Sequence, residues 1–271
     1  MIENYSVLMS VYKKEKPEFL KESIDSILNQ TRKTDDFCLV CDGPLTEGLY
    51  KIVDDYTTRY PDIFHVIYLE KNLGLGKALN IGIGECRNSV IARMDSDDIA
   101  FAERCERQLN LIQKGYDVIS GTVIEFEGDT ANQISQRKLP ENDAQIRKFA
   151  KKRNPFNHPC VMYKKEAVEA AGGYLHCLWF EDYYLWVRMI MNGAKCYNIQ
   201  SPILYMRAGE DLYQRRGGTD YLKAMVSFKW KLREMGFYSW IDFLYSMGGH
   251  FIVCIMPNSL RSKVYKRFLR K

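Results

Sequence analysis

The sequence predicts an α/β fold in which a mostly parallel central sheet is covered by helices on both faces. Short apolar runs alternate with segments of helical periodicity in the first half of the chain, and the connections between them are short. The chain has 271 residues, of which 46% are hydrophobic and 13% aromatic. That composition suits one large domain or two small ones and excludes a chain that is disordered over most of its length.

The first half of the chain contains four predicted strands separated by three predicted helices. The first helix begins at Pro17, a residue suited to a first turn, and repeats apolar residues at helical spacing. The second strand ends at Asp42-Gly43-Pro44, which is a turn signal. In chain order the predicted elements are strand 5–11, helix 17–28, strand 37–41, helix 49–60, strand 64–69, helix 78–86 and strand 90–94.

The second half of the chain is less regular. Neither a Ser/Gly-rich linker nor an internal repeat is present, so we expect one domain with an elaborated second half. The pattern predicts strand structure over 116–127, a helix over 142–151, a rigid loop over 155–159 leading into a strand at 160–163, and a helix over 181–191.

Three carboxylates follow the fourth predicted strand, in the run Asp95-Ser96-Asp97-Asp98. Crowded acids repel one another, and a hard divalent cation would reverse the sign of that interaction. Mg²⁺ and Mn²⁺ prefer a couple of carboxylates plus substrate phosphates, so one interpretation is a metal-bound nucleotide. The alternative is a solvated turn that caps a helix starting near Phe101. Residues 10–13 and Asp42-Gly43 also end predicted strands, and the three segments are expected to meet at one cleft.

Two helix starts carry further candidate residues. A glycine-rich segment, Asn72 to Lys77, leads into the third predicted helix, where backbone amides and Lys77 suit an anionic phosphate; the alternative is a plain helix start. Glu181 and Asp182 open a later helix, where the helix dipole stabilises acids. The functional interpretation is that one of them faces a cleft and accepts a proton from a hydroxyl nucleophile.

Aromatic and basic residues in the second half are also candidates. Trp179 and Trp186 suit stacking on sugar rings, although Trp186 equally suits the core, and His158 is more readily a structural histidine than a ligand or base. Arg207 and Arg215, the latter in an Arg-Arg-Gly-Gly run, lie past the last predicted strand. Their guanidinium groups suit diphosphate oxygens, and the alternative is a solvated basic loop.

The C-terminal part of the chain combines an apolar segment at 240–256 with a basic end. Asp242, His250 and a glycine pair interrupt the segment, which disfavours a transmembrane helix. An interfacial segment on the anionic cytoplasmic leaflet is the favoured interpretation, and a terminal helix packed on the core is the alternative. Eight cysteines without a repeated spacing, and no secretory signal, predict reduced thiols and a cytoplasmic location.

Together these segments resemble the family 2 glycosyltransferases with the GT-A fold, and in particular bacterial capsule, exopolysaccharide and O-antigen transferases. The ordered series of motifs runs over about the first 210 residues. Its members are Ser6-Val7-Leu8-Met9-Ser10-Val11-Tyr12, Asp42-Gly43, Asn72-x-Gly74, Asn80-x-Gly82, Ala92-Arg93-Met94-Asp95-Ser96-Asp97-Asp98, His158-Pro159, Gly172-Gly173-Tyr174 and Glu181-Asp182-Tyr183-Tyr184-Leu185-Trp186-x-Arg188.

The resemblance implies inverting, non-processive and metal-dependent transfer from a nucleotide-sugar, usually a UDP-sugar. It implies that Asp97 coordinates Mn²⁺ or Mg²⁺ directly and that Asp182 is the catalytic base. Two departures from the family pattern stand out, a single acid at Asp42-Gly43-Pro44 and an arginine, Arg207, where many members carry a histidine. By group, the implied site residues are Val11, Tyr12, Asp42, Asn72, Lys77 and Asp95 for the nucleotide; Arg207 and Arg215 for the diphosphate; His158, Trp179 and Glu181 for the sugar or acceptor; and Asp95 and Asp97 for the metal.

The resemblance also sets expectations for organisation and partners. We expect a GT-A domain over 1–215, with a nucleotide-binding half at 1–100 and an acceptor half at 101–215, and a membrane-associating helical extension over 216–271. The expected acceptor is a saccharide, linked to polyprenyl diphosphate, at the cytoplasmic face of the membrane, and no nucleic acid is expected to bind. A catalytically silent nucleotide-sugar-binding protein and a sugar nucleotidyltransferase are the alternatives.

Overall fold

The computed structural model describes residues 4–208 and 219–255, with side chains up to residue 248. In that part of the chain a nine-stranded sheet is flanked by helices, which confirms the α/β class. The strands are β1 (Ser6–Val11), β2 (Asp36–Cys41), β3 (Phe64–Tyr68), β4 (Val90–Asp95), β5 (Ile99–Ala100), β6 (Val118–Glu127), β7 (Asp129–Arg137), β8 (Met162–Lys164) and β9 (Cys196–Arg207). The helices are α1 (Pro17–Leu28), α2 (Glu47–Arg59), α3 (Leu75–Glu85), α4 (Arg104–Gln113), α5 (Asp143–Ala150), α6 (Lys165–Ala170), α7 (Glu181–Met191), α8 (Thr219–Glu234) and α9 (Trp240–Ile255).

The sheet is mostly parallel. Its order is β3-β2-β1-β4-β8-β6-β9-β5, and β7 pairs with β6 outside this path. β1 to β4 run in parallel, and because β8 is antiparallel to both β4 and β6, β6 and its parallel partner β9 share their direction. The carboxyl ends of these six strands therefore face one edge of the sheet, where ligands bind in such folds.

Helices cover both faces of the first strands, which explains their continuous apolar runs. β2 is buried at every position. Its two cysteines point to opposite faces, since Cys38 packs in the cluster that contains Leu79 and Trp186, whereas Cys41 packs in the cluster that contains Leu20 and Leu109. This geometry keeps the two thiols apart, because residues three apart on a strand point to opposite faces.

The second half departs from the predicted pattern in several places. The polar strand β7 and the short helix α6 carry no apolar alternation that would reveal them. The helix expected near Phe101 begins at Arg104, and the loop expected at 155–159 continues into a 3₁₀ turn, His158–Cys160. Arg207 does not lie past the last strand but is the final residue of β9, where it pairs with Phe126.

No helix within residues 4–208 and 219–255 combines the length and the apolarity needed to cross a bilayer. The first turns of α9 instead contact the domain. The Lys151 ammonium group lies 2.8 Å from a carboxylate oxygen of Asp242, and Ser246 O accepts a hydrogen bond from the buried Lys229 side chain. The basic stretch expected to follow α9 lies outside the described residues.

The loop between α6 and α7 is tied to α3 by one asparagine. The side chain of Asn80 accepts a hydrogen bond from Tyr174 N at 2.7 Å and donates one to Tyr174 O at 2.7 Å. The preceding Gly173 has a φ of +66°, and a Cβ atom there would lie 2.6 Å from Asn80 Oδ1. Both the backbone conformation and the close approach require glycine at this position.

We expect Gly173→Ala to lower the free energy of unfolding by about 2 kcal/mol or more, because it adds left-handed strain and a steric clash. The matched control is Gly84→Ala near the end of α3, where no atom lies within 4 Å of the new Cβ. There the substitution should be neutral or stabilise by up to about 1 kcal/mol. Urea unfolding of both variants measures the difference, and equal shifts would contradict the assignment.

Candidate active site

An acidic cluster stands at the carboxyl end of β4. One carboxylate oxygen from each of Asp95, Asp97 and Asp98 lies within 4.8 Å of the others. Burial, followed by the charges of Asp95 and Glu15, raises the pKa of Asp97 to about 7. Burial also raises the pKa of Asp98 well above its usual value, and Asp98 Oδ2 is buried without a hydrogen-bond partner among the described residues. The charged cluster is thus costly on its own and fits a divalent cation.

Asp98 extends the predicted pair of metal ligands to three acids and also joins the cluster to β9. Its Oδ1 accepts a hydrogen bond from Arg207 N at 2.8 Å. The guanidinium group of Arg207 donates to Asp97 O at 3.0 Å and to Gly128 O at 3.0 Å, and it lies 2.6 Å from a carboxylate oxygen of Glu22. Arg207 therefore braces the backbone of the acidic turn, and its expected contact with a diphosphate stays a prediction.

A buried arginine lies next to the cluster on the same strand. Arg93 is 1% exposed and forms an ion pair with Asp95 through Nη2. Its Nε and Nη1 atoms have no hydrogen-bond partner among the described residues. Sequence reasoning assigned Arg93 no role, although a charged residue inside a run of buried strand residues was the signal that could have found it.

Asp42 organises the glycine-rich start of α3. Its two carboxylate oxygens accept hydrogen bonds from Leu73 N at 2.7 Å and Gly74 N at 3.0 Å. The side chain of Asn72 donates to Asp42 O at 3.1 Å, and a Cβ on Gly43, whose φ is +85°, would lie 2.6 Å from Asn72 N. The carboxylate expected to contact the nucleotide thus also fixes this turn, and the nucleotide contact stays a prediction.

Val11 and Tyr12 stand at the end of β1, beside Asp42. Val11 is fully buried and its carbonyl oxygen accepts a hydrogen bond from Asp42 N at 2.8 Å, whereas Tyr12 is 40% exposed. The exposed ring of Tyr12 is available to a ligand at this edge, and the Val11 side chain belongs to the core.

A cavity of about 690 Å³ brings together residues from four segments of the chain. Its walls are formed by the start of α3, the 3₁₀ turn at His158, the loop before α7 and the first turn of α7. Five residues predicted for the site line it, namely Lys77, His158, Trp179, Glu181 and Asp182, together with Leu73, Gly74, Leu75, Gly76, Asn80, Tyr174, Leu175, His176 and Leu178.

Asp182 is the cavity carboxylate that is held by hydrogen bonds on both of its oxygens. Its Oδ2 accepts a hydrogen bond from Asn154 Nδ2 at 2.6 Å, and its Oδ1 accepts one from Tyr183 N at 2.7 Å. Burial raises the pKa of Asp182 above its usual value, and burial raises the pKa of Glu181 as well. The sequence did not identify Asn154 as a site residue, because no pattern near it indicates a contact with Asp182, which lies 28 positions further along the chain. The oriented, desolvated carboxylate of Asp182 suits proton abstraction.

The aromatic candidates separate into core and cavity residues. Trp186 is fully buried and packs edge-on against Phe156, with ring centroids 5.5 Å apart, so of the two roles that the sequence left open it has the core role. His158 Nε2 lies 2.8 Å from Tyr174 OH, and burial followed by the charge of Arg93 lowers the pKa of His158 well below its usual value. Trp179 is 42% exposed and holds a φ of +66°, which a non-glycine residue rarely adopts.

The cavity and the acidic cluster share one electrostatic neighbourhood. The positive charge of Arg93 lowers the pKa values of Asp97, Asp98 and Asp182 against the larger effect of burial. The remaining diphosphate candidate, Arg215, lies outside the described residues. One buried guanidinium group therefore lies close enough to influence the carboxylates of both places.

Comparisons with known proteins identify relatives along almost the whole chain. The family described as Glycosyl transferase family 2 matches residues 6–172. The chain is 40% identical over 238 residues to AmsE, an amylovoran biosynthesis glycosyltransferase of Erwinia amylovora, covering 86% of this chain and 88% of that protein. It is 35% identical over 269 residues to the UDP-Gal:alpha-D-GlcNAc-diphosphoundecaprenol beta-1,3-galactosyltransferase of Escherichia coli, covering 98% and 97% respectively.

The fold is also similar to solved structures. The mannosyltransferase PcManGT from Pyrobaculum calidifontis, solved in complex with GDP-Man and Mn²⁺, aligns with a TM-score of 0.65 at 13% identity. The alignment covers 96% of this chain and 72% of that chain. At this low identity the likeness shows a shared fold.

The raised pKa of Asp97 generates a prediction about stability in a chelator. The folded protein holds this proton up to about pH 7, whereas an unfolded aspartate loses it near pH 4. Since the folded state binds more protons in that window, this group makes the free energy of unfolding fall as pH rises. We expect Asp97→Asn to reduce the fall, to which Asp98 also contributes, and to stabilise the protein at pH 8 by on the order of 2 kcal/mol.

Urea unfolding in EDTA at pH 5 and pH 8 measures this difference between the Asp97→Asn variant and the unaltered protein. The control is Asp54→Asn, which changes an exposed carboxylate on α2. If the free energy of unfolding of Asp97→Asn depends on pH as strongly as that of the unaltered protein, the raised pKa of Asp97 is contradicted.

Proposed function

The chain belongs to glycosyl transferase family 2, and on that premise we propose that it transfers a sugar from a UDP-sugar to a hydroxyl of a polyprenyl-diphosphate-linked saccharide. Glycosyltransferase activity and the GT-A fold follow from the family and from the structural likeness. The observation that carries the proposed chemistry is the geometry of the site, in which an acidic cluster stands at the end of β4 and a cavity holds the oriented carboxylate of Asp182. The relative from Escherichia coli, whose name specifies UDP-Gal and a diphosphoundecaprenol acceptor, supports both substrate classes.

We propose that Asp95, Asp97 and Asp98 hold Mn²⁺ or Mg²⁺. Asp98 Oδ2, which is buried and has no hydrogen-bond partner within the part of the chain that the structure describes, and the raised pKa of Asp97 support a cation at this place. A bound cation there would neutralise the charge that develops on the departing diphosphate. Arg93 keeps Asp95 in place through their ion pair and offsets part of the repulsion within the cluster.

The edge formed by β1, β2 and the start of α3 is the proposed nucleotide site. Tyr12 offers an exposed ring and Val11 a buried wall, while Asp42 and Asn72 fix the turn before α3. Lys77 lies on the first turn of α3 and lines the cavity, where it suits a phosphate oxygen of the donor. Because Arg207 is engaged by protein acceptors, Arg215 is the remaining arginine proposed for the diphosphate.

Asp182 is the proposed catalytic base. Its carboxylate accepts the proton of the acceptor hydroxyl, whose oxygen attacks the anomeric carbon as the bond to the diphosphate breaks on the opposite side. Asn154 and Tyr183 N orient the carboxylate, and its raised pKa strengthens it as a base. In-line attack inverts the anomeric carbon, so an α-linked donor yields a β-glycoside. Glu181, His158 and Trp179 line the cavity and are proposed to hold the saccharide.

We propose that the extension from residue 216 onward holds the enzyme peripherally on the cytoplasmic face of the membrane. Four large side chains at the start of α9, namely Trp240, Ile241, Leu244 and Tyr245, are between 54% and 80% exposed. Lysines flank this face, and Lys148, Lys151 and Lys152 share a groove with Ile241 and Tyr245. Exposed aromatic and aliphatic groups beside lysines suit the interface of an anionic bilayer.

The test of the proposed reaction is a transfer assay with UDP-sugars, a polyprenyl-diphosphate-linked saccharide and Mn²⁺. We expect Asp182→Asn to lower kcat by about 10²- to 10⁴-fold, because it removes the base, while UDP binding measured by calorimetry stays intact. The comparison variant, Glu181→Gln, changes the neighbouring cavity acid, which is proposed to hold the saccharide, so it should raise the KM for the acceptor and keep most of kcat. A base role for Asp182 is excluded if its variant loses UDP binding or if Glu181→Gln is the more damaging change.

For the membrane proposal, the double variant Ile241→Ser/Leu244→Ser should bind phosphatidylglycerol vesicles at least about tenfold more weakly, because it removes apolar groups from the inserted face. Co-sedimentation at low and high salt measures binding and its electrostatic part. Val226→Ser on α8, an exposed residue outside the lysine groove, is the control. Equal binding by all three proteins would remove α9 from the proposed interface.

A further inference from the structure

One wall of the cavity consists of exposed hydrocarbon. Leu75, Leu175, Leu178 and Trp179 line the cavity and are 42% to 50% exposed, and we call these four residues the apolar rim. Large apolar side chains are common singly on protein surfaces, whereas four around one opening point to an apolar ligand or partner. A saccharide offers hydroxyl groups that leucine side chains cannot satisfy, so the rim matches a different part of the substrate.

The outward position of the rim is fixed by the fold of its loop. Tyr174 and Cys177 are buried and anchor the loop before α7, and Tyr174 is held by both hydrogen bonds of Asn80. Between and beyond these anchors the rim residues Leu175, Leu178 and Trp179 face the cavity. Trp179 does so in a left-handed backbone conformation, which a non-glycine residue rarely adopts. The indole ring of Trp179 is thus held at the opening by a strained backbone conformation.

The other wall of the same cavity is polar. Asp182 and Glu181 contribute carboxylates, Asn80 an amide, and His158 a neutral imidazole held by Tyr174. A ligand that fills both walls has a hydrogen-bonding head and a hydrocarbon part. Most ligand cavities of this size combine apolar walls with a few polar groups in this way.

We propose that the apolar rim binds the first isoprenoid units of the acceptor's lipid chain while the saccharide lies at Asp182. This inference rests on the proposed function, which makes the acceptor a lipid-linked saccharide. It assigns the rim to the acceptor rather than to the donor, because neither the sugar nor the nucleotide of a donor offers comparable hydrocarbon. The rim then selects acceptors by the chain they carry, in addition to their sugar.

The first experiment measures binding without transfer. Isothermal titration calorimetry in EDTA compares farnesyl diphosphate with inorganic diphosphate, which carries no isoprenoid chain. We expect tighter binding of farnesyl diphosphate to the unaltered protein, and about a tenfold loss for the double variant Leu175→Ser/Leu178→Ser. Both leucines are half exposed, so the variant is expected to fold, and Ile134→Ser on β7 is the exposed control.

The inference is overturned if the unaltered protein binds both probes equally, or if the double variant keeps its affinity for farnesyl diphosphate. After either result the apolar rim would be assigned to a different occupant, such as a second copy of the chain or a segment of this chain. A parallel loss of inorganic diphosphate binding would equally count against it, because the rim would then act on the phosphate groups.

The second experiment separates the rim from the proposed reaction. Transfer is measured with one saccharide diphosphate carrying either a methyl group or a long isoprenoid chain. We expect the double variant to lose about tenfold in kcat/KM with the long chain and little with the methyl group. Equal losses with both acceptors would overturn the rim assignment while transfer itself stands. A farnesyl-dependent loss in calorimetry without transfer by the unaltered protein would sustain the rim and contradict the proposed function.

Discussion

The ion pair between Arg93 and Asp95 is the interaction on which the site depends. A guanidinium group that is 1% exposed is stable only among opposite charges, and a crowded set of carboxylates is stable only beside a cation. The buried guanidinium group and the clustered carboxylates therefore stabilise one another at the end of β4. Burial lowers the pKa of His158 and raises the pKa of Asp182, and the positive charge of Arg93 acts on both groups as well, so the cavity and the cluster share one source of positive charge.

The parallel sheet brings further candidate residues close to this ion pair. Because β1, β2 and β4 lie side by side and end at one edge, Tyr12, Asp42 and Asp95 approach each other although they are far apart in sequence. Most of the first half was predictable, since buried strands and amphipathic helices leave continuous and periodic apolar patterns. β7 and α6 were not, because a polar hairpin strand and a short helix lack such a pattern.

Five of the residues predicted for the site line one cavity, but their contacts could not be predicted from the sequence. The sequence does not reveal that Asp42 accepts two backbone amides at the start of α3, or that Asn154 orients Asp182. These bonds connect segments about 30 residues apart, and only the tertiary structure selects them. Trp186 shows the same limit, since helical spacing alone left core and ligand roles open and the packing of α7 placed it in the core.

The hydrogen bond from Arg207 N to Asp98 Oδ1 has a consequence for how the acidic turn is held. It joins the turn to the last residue of β9, and the Arg207 guanidinium group adds a second bond, to Asp97 O. The conformation of two of the three clustered acids therefore depends on the position of a strand that is about 110 residues away in sequence.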